Sequence, residues 1–277
     1  MKMEIPFPEV SEFRRLVYAA YKKEGRSFPW RENTGAWGVL VSELMLQQTQ
    51  TERVIPYWKR WMEKWPCPAA LADASLEDAL REWSGLGYNR RAKNLRDCAG
   101  IIAGDFHGKV PDTPEVLEQL PGIGPYTAGA VACFAYNYPS VFAETNIRSV
   151  IIHFYFKEKD KIHDREIKTV LEKTLDRENP RTWYWALMDY GAALKKAGLN
   201  PDRKSARYNR QSAFKGSFRQ IRGSIMRAII SGGPATADEI RVRMDVPAEE
   251  QDFSRALDVL GREMLVTEKS GIYTIPG

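Results

Sequence analysis

The chain has 277 residues, with 41 Lys and Arg against 36 Asp and Glu, which gives a formal net charge of +5 at pH 7. Apolar residues make up 43% of it and charged residues 28%, so a globular protein with a proper core is expected and disorder as the main state is excluded. The longest apolar stretches fall short of the ~18–20 residues that a membrane helix needs. The N-terminus also lacks the apolar segment of a signal peptide. We therefore expect a cytoplasmic protein without a membrane partner.

Helical periodicity dominates up to about residue 200, and alternation of the strand type is nearly absent. The predicted fold is mainly α. Breakers such as Pro66-Cys67-Pro68 and Gly85-Leu86-Gly87 separate the elements. The predicted helices are 9–24, 36–48, 50–64, 75–83, 88–104, 114–119, 126–136, 146–157, 164–175 and 181–195.

The last 60 residues have a different pattern. A helix is predicted at 218–230, followed by a break at Gly232-Gly233-Pro234 and two short helices. Two short apolar runs, 265–268 and 272–275, flank a Lys-Ser-Gly turn and predict a β-hairpin. Three helices and a hairpin indicate a small winged-helix-like module at the C-terminus.

The stretch Arg203–Arg227 carries eight basic residues, no acidic one and three interleaved aromatic residues. Such a segment suits the phosphate backbone of a nucleic acid. A solvated helix face with a linker is the alternative on composition alone.

Glu43 is the only charged residue in the apolar run Ala36-Trp-Gly-Val-Leu-Val-Ser-Glu-Leu-Met-Leu. A carboxylate on such a helix is costly to bury, and desolvation raises a carboxyl pKa, which suits a general acid. An exposed Glu on an amphipathic helix is the alternative. The polar residues Gln47, Gln48, Thr49 and Gln50 follow at once, where they can hydrogen-bond base edges.

Two further segments could carry chemistry. In Leu120-Pro-Gly-Ile-Gly-Pro-Tyr-Thr-Ala-Gly-Ala, the glycines allow a close backbone approach and the following helix start can hold a phosphate. Glu144 precedes a helix that Thr145 or Asn146 could cap. Its proximity to a positive helix end favours an ionised carboxylate, although a simple helix-start charge explains it equally well. A protonated and an ionised carboxyl together suit glycosidic bond cleavage.

Five segments together resemble the helix-hairpin-helix DNA glycosylases, and within them the A/G-mismatch adenine glycosylases. The resemblance covers about residues 10–195. The segments begin at Phe28 (FPWR), Ser42 (SELMLQQTQ), Trp83 (WSGLGYNRRA), Leu120 (LPGIGPYTAGA) and Ala186 (ALMDYGA).

The resemblance implies a base-flipping repair enzyme that removes adenine opposite guanine or 8-oxoguanine by hydrolysing its N-glycosidic bond. Glu43 would protonate the leaving base, with Glu144 as the second carboxylate. Tyr126 stands where the endonuclease III type carries a Schiff-base lysine, which implies a monofunctional enzyme. The implied base pocket is Trp30, Arg31, Leu46 and Trp185. The implied DNA contacts are Gln47, Gln48, Thr49, Leu86, Gly87, Tyr88, Gly122, Gly124 and Asn146, with Leu86 and Tyr88 among the wedges into the base stack. Arg219 and Arg222 of the basic segment are expected to bind DNA by following its phosphate backbone.

Three positions depart from the family pattern. Glu144 replaces an aspartate, Trp185 replaces a Glu or Gln near the flipped adenine, and Lys195 stands at the first iron–sulfur cysteine. No cluster is therefore expected, and the basic 203–227 segment would take over the DNA contacts of the cluster loop. The tail resembles that of members without a larger oxoguanine-reading domain.

The resemblance also predicts the domain organisation and the partner. We expect a lobe at 28–136, a second lobe from 1–27 and 137–202, a basic linker at 203–217 and the winged-helix-like module at 218–277. The expected partner is duplex DNA with a mispaired or damaged base, bound by a monomer that associates with the nucleoid.

Two other functions remain open at this point. The same fold could release uracil or thymine from mismatches, or a deaminated purine. Alternatively, the chain could be a lesion-binding module whose catalysis has been slowed or lost through Glu144.

Overall fold

The computed structural model describes residues 9–208 and 213–277, and these are mainly helical. The first part of the chain contains α1 (Val10–Glu24), α2 (Pro29–Glu32), α3 (Ala36–Leu46), α4 (Thr51–Lys64), α5 (Pro68–Ala72), α6 (Leu76–Trp83), α7 (Arg90–Gly104), α8 (Pro114–Leu117), α9 (Pro125–Tyr136), α10 (Thr145–Tyr155), α11 (Asp164–Thr174) and α12 (Pro180–Lys196). A 3-10 turn at Pro201–Lys204 precedes α13 (Phe218–Gly232), α14 (Ala237–Arg243), α15 (Glu250–Arg262), β1 (Thr267–Lys269) and β2 (Ile272–Thr274).

Every helix predicted from periodicity is present, with ends shifted by two residues at most. The helices α2 and α5 were not predicted, because four or five residues are too few to show a helical period. Each begins with a proline in its first turn, the position where a missing N–H costs nothing. The helix α3 ends at Leu46, two residues before the predicted end.

The described residues form two compact units. Unit 1 holds 9–39, 111–119 and 123–208, and unit 2 holds 40–110, 120–122 and 213–277. This division differs from the predicted lobes, which placed α9 with 28–136 and made 218–277 separate. Residues 209–212 of the predicted basic linker lie outside the described residues.

The core of unit 1 lies where α12 packs against α1 and α10. Trp183 of α12 is fully buried and meets Phe13 of α1 edge to face, with ring centroids 5.5 Å apart. Gly191 of α12 lies so close to α10 that a Cβ there would be 2.3 Å from the Asn146 carbonyl oxygen. The helix α9 joins this unit because it packs on α12 and its Gly129 admits the ring of Phe142.

The core of unit 2 combines α4 to α7 with the C-terminal helices. Trp61 and Trp83 are buried and pack edge to face, with centroids 5.4 Å apart. The helix α13 packs on α6 as well as on α14 and α15. That packing explains why the C-terminal residues belong to a larger unit instead of standing alone.

The C-terminal residues contain the predicted three helices and hairpin. The strand β1 pairs antiparallel with β2, with Thr267 opposite Thr274, and Ala235 forms a further bridge to Tyr273. Thr236 and Glu239 form a capping box at the start of α14. The first strand begins two residues later than predicted.

Within the described ranges, none of the helices has the length and apolar character required to cross a membrane.

Candidate active site

Glu43 lies in the middle of α3, in unit 2. Its residue is 4% exposed, and the preceding Ser42 is fully buried. The carboxyl group therefore has the buried setting on which the predicted acid function depends. The helix is otherwise apolar or small, so Glu43 is the one charge that α3 carries into the interior.

The residues that follow Glu43 are organised by Arg91, a buried arginine in α7 that sequence reasoning missed. Its Nη1 donates to the carbonyl oxygens of Leu44, Met45 and Gln47 at 2.9, 2.8 and 2.6 Å. These are carbonyls at the end of α3, where a helix has no internal donors left. Arg91 therefore ends α3 in place of a glycine cap.

The second guanidinium nitrogen of Arg91 holds the predicted wedge loop. Its Nη2 donates to Gly87 O at 3.0 Å, to Leu86 O at 3.4 Å and to Thr49 Oγ1 at 3.2 Å. Desolvation lowers the pKa of Arg91 to about 10, which leaves it charged at neutral pH. One cation thus joins the segment after Glu43 to the loop 84–88.

The loop residues fall into exposed and buried ones. Gln48 and Tyr88 have positive φ values of 57° and 50° and are exposed. The wedging of Leu86 into the base stack stays a prediction; in this conformation Leu86 is only 6% exposed. Its backbone is held from inside by Arg91, which turns the side chain into the core. Of the predicted wedge residues, Gln48 and Tyr88 are thus the exposed ones.

The predicted phosphate grip begins at Gly122. Its φ is +75°, and a Cβ there would lie 2.2 Å from Asn94 Nδ2, so both the conformation and the space require glycine. Further along the chain, Gly124 is the N-cap of α9 and Pro125 its first residue. The positive end of this 12-residue helix favours an anion.

In unit 1, Arg31 forms a two-point ion pair with Asp189 of α12. Both side chains are nearly buried, with 7% and 5% exposed. The Arg31 guanidinium lies 5.3 Å from the Trp185 ring centroid and 5.0 Å from that of Phe28. The structure therefore brings together the predicted pocket residues Arg31 and Trp185.

Trp30 belongs to the same aromatic group. It is buried, and its ring stacks on Phe28 with centroids 5.4 Å apart. Leu46, the other predicted pocket residue, is the last residue of α3 and is half-buried. Asp189 was not predicted, although it is a lone acid in the apolar run YWALMDYGA, the same signal that singled out Glu43.

Glu144 is the N-cap of α10. Its Oε1 accepts from the backbone N–H groups of Asn146 and Ile147 at 2.8 and 3.0 Å, and its Oε2 accepts from Asn146 Nδ2 at 3.3 Å. Desolvation has the largest effect and raises the Glu144 pKa above its usual value, although the two backbone amides and Arg148 act to lower it. The helix start thus favours the ionised form, as expected, but burial outweighs this contribution and the net shift of the pKa is upward.

Tyr126 lies in the first turn of α9, half-buried, with its ring edge on Phe142 at a centroid distance of 5.8 Å. Phe142 in turn stacks on Tyr184 at 3.9 Å. The tyrosine is therefore held in an aromatic group within unit 1.

The two predicted phosphate-binding arginines of α13 have different surroundings. Arg219 Nη1 donates to the Tyr88 hydroxyl at 2.7 Å, and its guanidinium lies 5.8 Å from that ring's centroid. Arg222 pairs with Glu263, the residue that follows α15. That pairing neutralises Arg222 and weakens its predicted part in tracking a phosphate backbone.

The three cysteines are separate. Cys67 is exposed, and Cys98 and Cys133 are buried. Burial raises the pKa of Cys98 to about 12, so it is not a thiolate at neutral pH. Among the residues that the structure describes, no group of three or more His, Cys, Asp or Glu is arranged to hold a metal ion.

Comparison with protein families defines the class. Residues 41–177 match the model of the HhH-GPD superfamily of base excision DNA repair proteins. Two solved structures share the fold at low identity: a thermostable thymine-DNA glycosylase (TM-score 0.58, 21% identical, 67% of this chain and 88% of that one) and a trapped endonuclease III–DNA intermediate (0.57, 19%, 68% and 88%). The fold is that of a helix-hairpin-helix glycosylase.

Curated relatives narrow the class. The adenine DNA glycosylase of Mycobacterium tuberculosis is 36% identical over 301 aligned residues, covering 99% of this chain and 98% of the relative. That of Rattus norvegicus is 37% identical over 198 residues, covering 67% and 38%. This chain therefore belongs to the adenine DNA glycosylases. It is a base-excision repair enzyme that hydrolyses the N-glycosidic bond of adenine in DNA.

Proposed function

We propose that the adenine removed is mispaired with guanine or 8-oxoguanine, and that Glu43 protonates it as it leaves. The observation that supports this role is the burial of Glu43, which is 4% exposed and lies four residues before the polar residues 47–50. A carboxyl in this setting is proposed as the general acid for the leaving purine. The assignment of the opposite base rests on the sequence resemblance.

The reaction breaks the bond between the deoxyribose C1′ and the adenine nitrogen. Both bonding electrons leave with the base, whose ring takes the proton from Glu43. The sugar is left with oxocarbenium character, and water adds to C1′ and releases a proton. No redox step is involved.

Glu144 would supply the negative charge that stabilises the sugar cation. Two backbone amides fix its carboxylate at the start of α10, so the group is held in one position. Because burial raises its pKa, the enzyme needs a higher pH to ionise it than an ordinary Glu would require. Protonation of Glu144 should therefore slow base release at acidic pH.

The flipped adenine would meet aromatic and cationic groups. Trp185 offers a ring face and one N–H donor, but no acceptor for the adenine amine. Arg31 is fixed by Asp189, which leaves it little freedom to follow the base. We propose that stacking on Trp30 or Trp185 holds the base, and that other residues accept the hydrogen bond from the adenine amine.

The enzyme would act as a monofunctional glycosylase. Tyr126 has no amine and cannot form the Schiff base through which bifunctional enzymes cut the strand. The chain has three cysteines, fewer than the four thiolates of a [4Fe–4S] cluster, and Cys98 and Cys133 lie inside helices. These residues do not fit such a cluster, and no step above involves one.

We also propose that one chain binds one duplex in the cytoplasm, at the nucleoid. The monomer rests on the family resemblance alone. Duplex DNA with the mispaired adenine is the proposed partner.

The test is a single-turnover base-release assay on matched duplexes. Adenine is placed opposite 8-oxoguanine, guanine and cytosine, uracil and thymine are placed opposite guanine, and hypoxanthine opposite thymine. Alkali reveals abasic sites, and omission of alkali reveals any strand cleavage by the enzyme itself. Release of adenine opposite 8-oxoguanine and guanine, without direct cleavage, is expected. Release of another base, or strand cleavage without alkali, would contradict the proposal.

A further inference from the structure

Unit 1 contains a second buried acid near Glu144, and the proposed reaction does not involve it. Asp202 belongs to the 3-10 turn Pro201–Lys204, which packs against α10, the helix that Glu144 caps. The residue is 7% exposed, and its Oδ1 is buried without a hydrogen-bond donor among the residues that the structure describes. Burial of a carboxyl oxygen without a donor is costly, so this group requires a physical explanation.

The 3-10 turn is held in place by its backbone. The N–H of Ile162 donates to Lys204 O, and the N–H of Ala206 donates to Ile162 O, both at 2.9 Å. Within the turn, the N–H of Ser205 donates to Asp202 O at 2.9 Å. These bonds tie the turn to the chain just before α11. The conformation of the turn therefore does not depend on the carboxyl group of Asp202.

Arg148 of α10 is the cation that three carboxyl groups share. Its Nε donates to Asp164 Oδ1 at 3.1 Å, and Oδ2 of Asp164 pairs with Arg207 Nη1 at 3.1 Å. Burial raises the pKa of both Glu144 and Asp202, and Arg148 acts to lower both. Asp202 in turn acts to raise the pKa of Glu144. The two buried acids are therefore close enough for each to depend on the charge of the same arginine.

The helix α12 also packs on α10. Its charged residues are Arg181, Asp189, Lys195 and Lys196. Asp189 is neutralised by Arg26 and Arg31, Arg181 binds Ala135 O, and the two lysines lie in the last turn of the helix. The charges that act on Glu144 come instead from α10 itself and from the 3-10 turn.

The charge of Asp202 does not serve the stability of the fold. Because its pKa is raised by burial, the folded protein binds the proton of Asp202 more tightly than the unfolded chain does. The carboxyl therefore favours folding below the unfolded pKa, and this contribution is lost as the pH rises through the folded pKa. Ionised Asp202 thus costs stability, which leaves its effect on Arg148 and Glu144 as the physical consequence of its charge.

We propose that Asp202 is a positioning residue of this active site, which acts on Glu144 by sharing Arg148 with it. The negative charge of Asp202 offsets part of the positive charge of Arg148. Ionised Glu144 is then less neutralised by that arginine, and its charge remains available to the sugar cation. The proposal rests on the proposed function, because it takes Glu144 as the carboxylate that stabilises this cation.

The pH profile of single-turnover adenine release tests the proposal in three variants of the full chain. Asp202→Asn removes the charge of the buried acid and keeps its shape. Arg148→Gln removes the shared cation. The matched control is Asp160→Asn, an exposed aspartate that lies 3.8 Å from Lys204 of the same 3-10 turn. A merely structural role of Asp202 would lower the rate equally at every pH and leave the shape of the profile unchanged.

We expect Asp202→Asn to move the acidic limb to lower pH, because Arg148 then acts on Glu144 without an opposing charge. The rate at roughly pH 5, relative to that at roughly pH 8, should rise by about threefold or more. Arg148→Gln should move the limb to higher pH, and Asp160→Asn should leave it in place. An unmoved limb in Asp202→Asn, or an equal movement in Asp160→Asn, would overturn the proposal.

Unfolding measurements provide a readout that needs no catalysis. The difference in free energy of unfolding with and without Glu144→Gln is followed against pH, once in the wild type and once in Asp202→Asn. We expect it to fall with rising pH less in Asp202→Asn, since the folded pKa of Glu144 then lies nearer to the unfolded one. An equal fall in both would overturn the proposal.

Thermal melting of Asp202→Asn separates a charge effect from a folding defect. The variant should melt at or above the temperature of the wild type at neutral pH, because it removes a buried charge without a hydrogen-bond donor. A markedly lower melting temperature would assign Asp202 to the stability of the turn and overturn the proposal. Absence of adenine release by the wild type would instead contradict the proposed function, since the unfolding measurement reports the charge coupling alone.

Discussion

Arg31 and Asp189 join the short helix α2 to the middle of α12 through two parallel hydrogen bonds, Nη1 to Oδ2 at 2.9 Å and Nη2 to Oδ1 at 3.0 Å. Arg26 adds a second cation, with its Nε 2.8 Å from Oδ1. One buried carboxylate thus binds two arginines. It also fixes the Arg31 guanidinium beside the rings of Phe28 and Trp185.

Replacing Asp189 should therefore destabilise the protein strongly. Asp189→Asn leaves Arg31 buried without its counter-charge, a loss of about 3–5 kcal/mol in the free energy of unfolding. Urea denaturation followed by fluorescence measures it. The control is Glu12→Gln, which removes an exposed pair with Arg15 on α1 and should leave the midpoint unchanged. Equal midpoints for both variants would show that the Asp189 pair is not structural.

Glu43→Gln should abolish adenine release and leave DNA affinity within about tenfold, because the amide keeps the shape and removes the proton donor. Single-turnover release and equilibrium binding are measured on the same duplex. Glu32→Gln, a change in the neighbouring short helix α2, serves as the control. A Glu43→Gln enzyme with normal release would exclude Glu43 as the acid.

The pH profile of base release should reveal Glu144. Its pKa is raised by burial, so its carboxylate forms only at a pH above the ordinary Glu value of about 4.3. The rate should thus rise with pH through the raised pKa in the wild type. Glu144→Gln should lower the rate and remove this acidic limb, while Glu144→Asp keeps a charged cap and should retain it. An unchanged limb in Glu144→Gln would assign the titration to another group.

The raised pKa also has a consequence for stability. Because the folded protein binds the proton of Glu144 more tightly than the unfolded chain, the carboxyl favours folding below the unfolded pKa. That contribution is lost as the pH rises through the folded pKa. The difference in free energy of unfolding between the wild type and Glu144→Gln should therefore become smaller as the pH rises from the unfolded pKa through the folded pKa.

Gly191→Ala should separate α12 from α10. The new methyl would lie 2.3 Å from the Asn146 carbonyl oxygen and 2.7 Å from its carbonyl carbon, both backbone atoms that cannot move aside cheaply. We expect a loss of about 1–3 kcal/mol, typical of overpacking, together with slower base release, since Asn146 adjoins Glu144. Thermal melting and the release assay measure both.

The matched control is Gly100→Ala in α7, where a Cβ meets no atom within 4 Å. Alanine in a helix interior should raise stability by roughly 0.5–1 kcal/mol. A Gly191→Ala protein as stable as the Gly100→Ala protein would contradict the close approach.

The sequence predicted the long helices and the buried setting of Glu43, because both follow from apolar periodicity interrupted by one charge. It did not predict Arg91, since a buried arginine and a surface arginine look alike in a run such as Asn89-Arg-Arg-Ala. It named Leu86 as a wedge from the family resemblance, which carries no information on how deeply that side chain is buried in the free protein. The direction of side chains in the 84–88 loop depends on Arg91, which binds backbone carbonyls of residues 44–47 as well as 86 and 87. Such long-range contacts leave no local signal in the sequence.

The Arg91 contacts also limit how this enzyme can be redesigned. Exchanging only Gln47–Thr49 for the corresponding turn of a relative would leave Arg91 with altered acceptors and disturb Gly87 as well. An exchange meant to alter base preference should therefore replace residues 47–49, the 84–88 loop and Arg91 together. The turn, the loop and Arg91 form one hydrogen-bonded assembly and not three independent motifs.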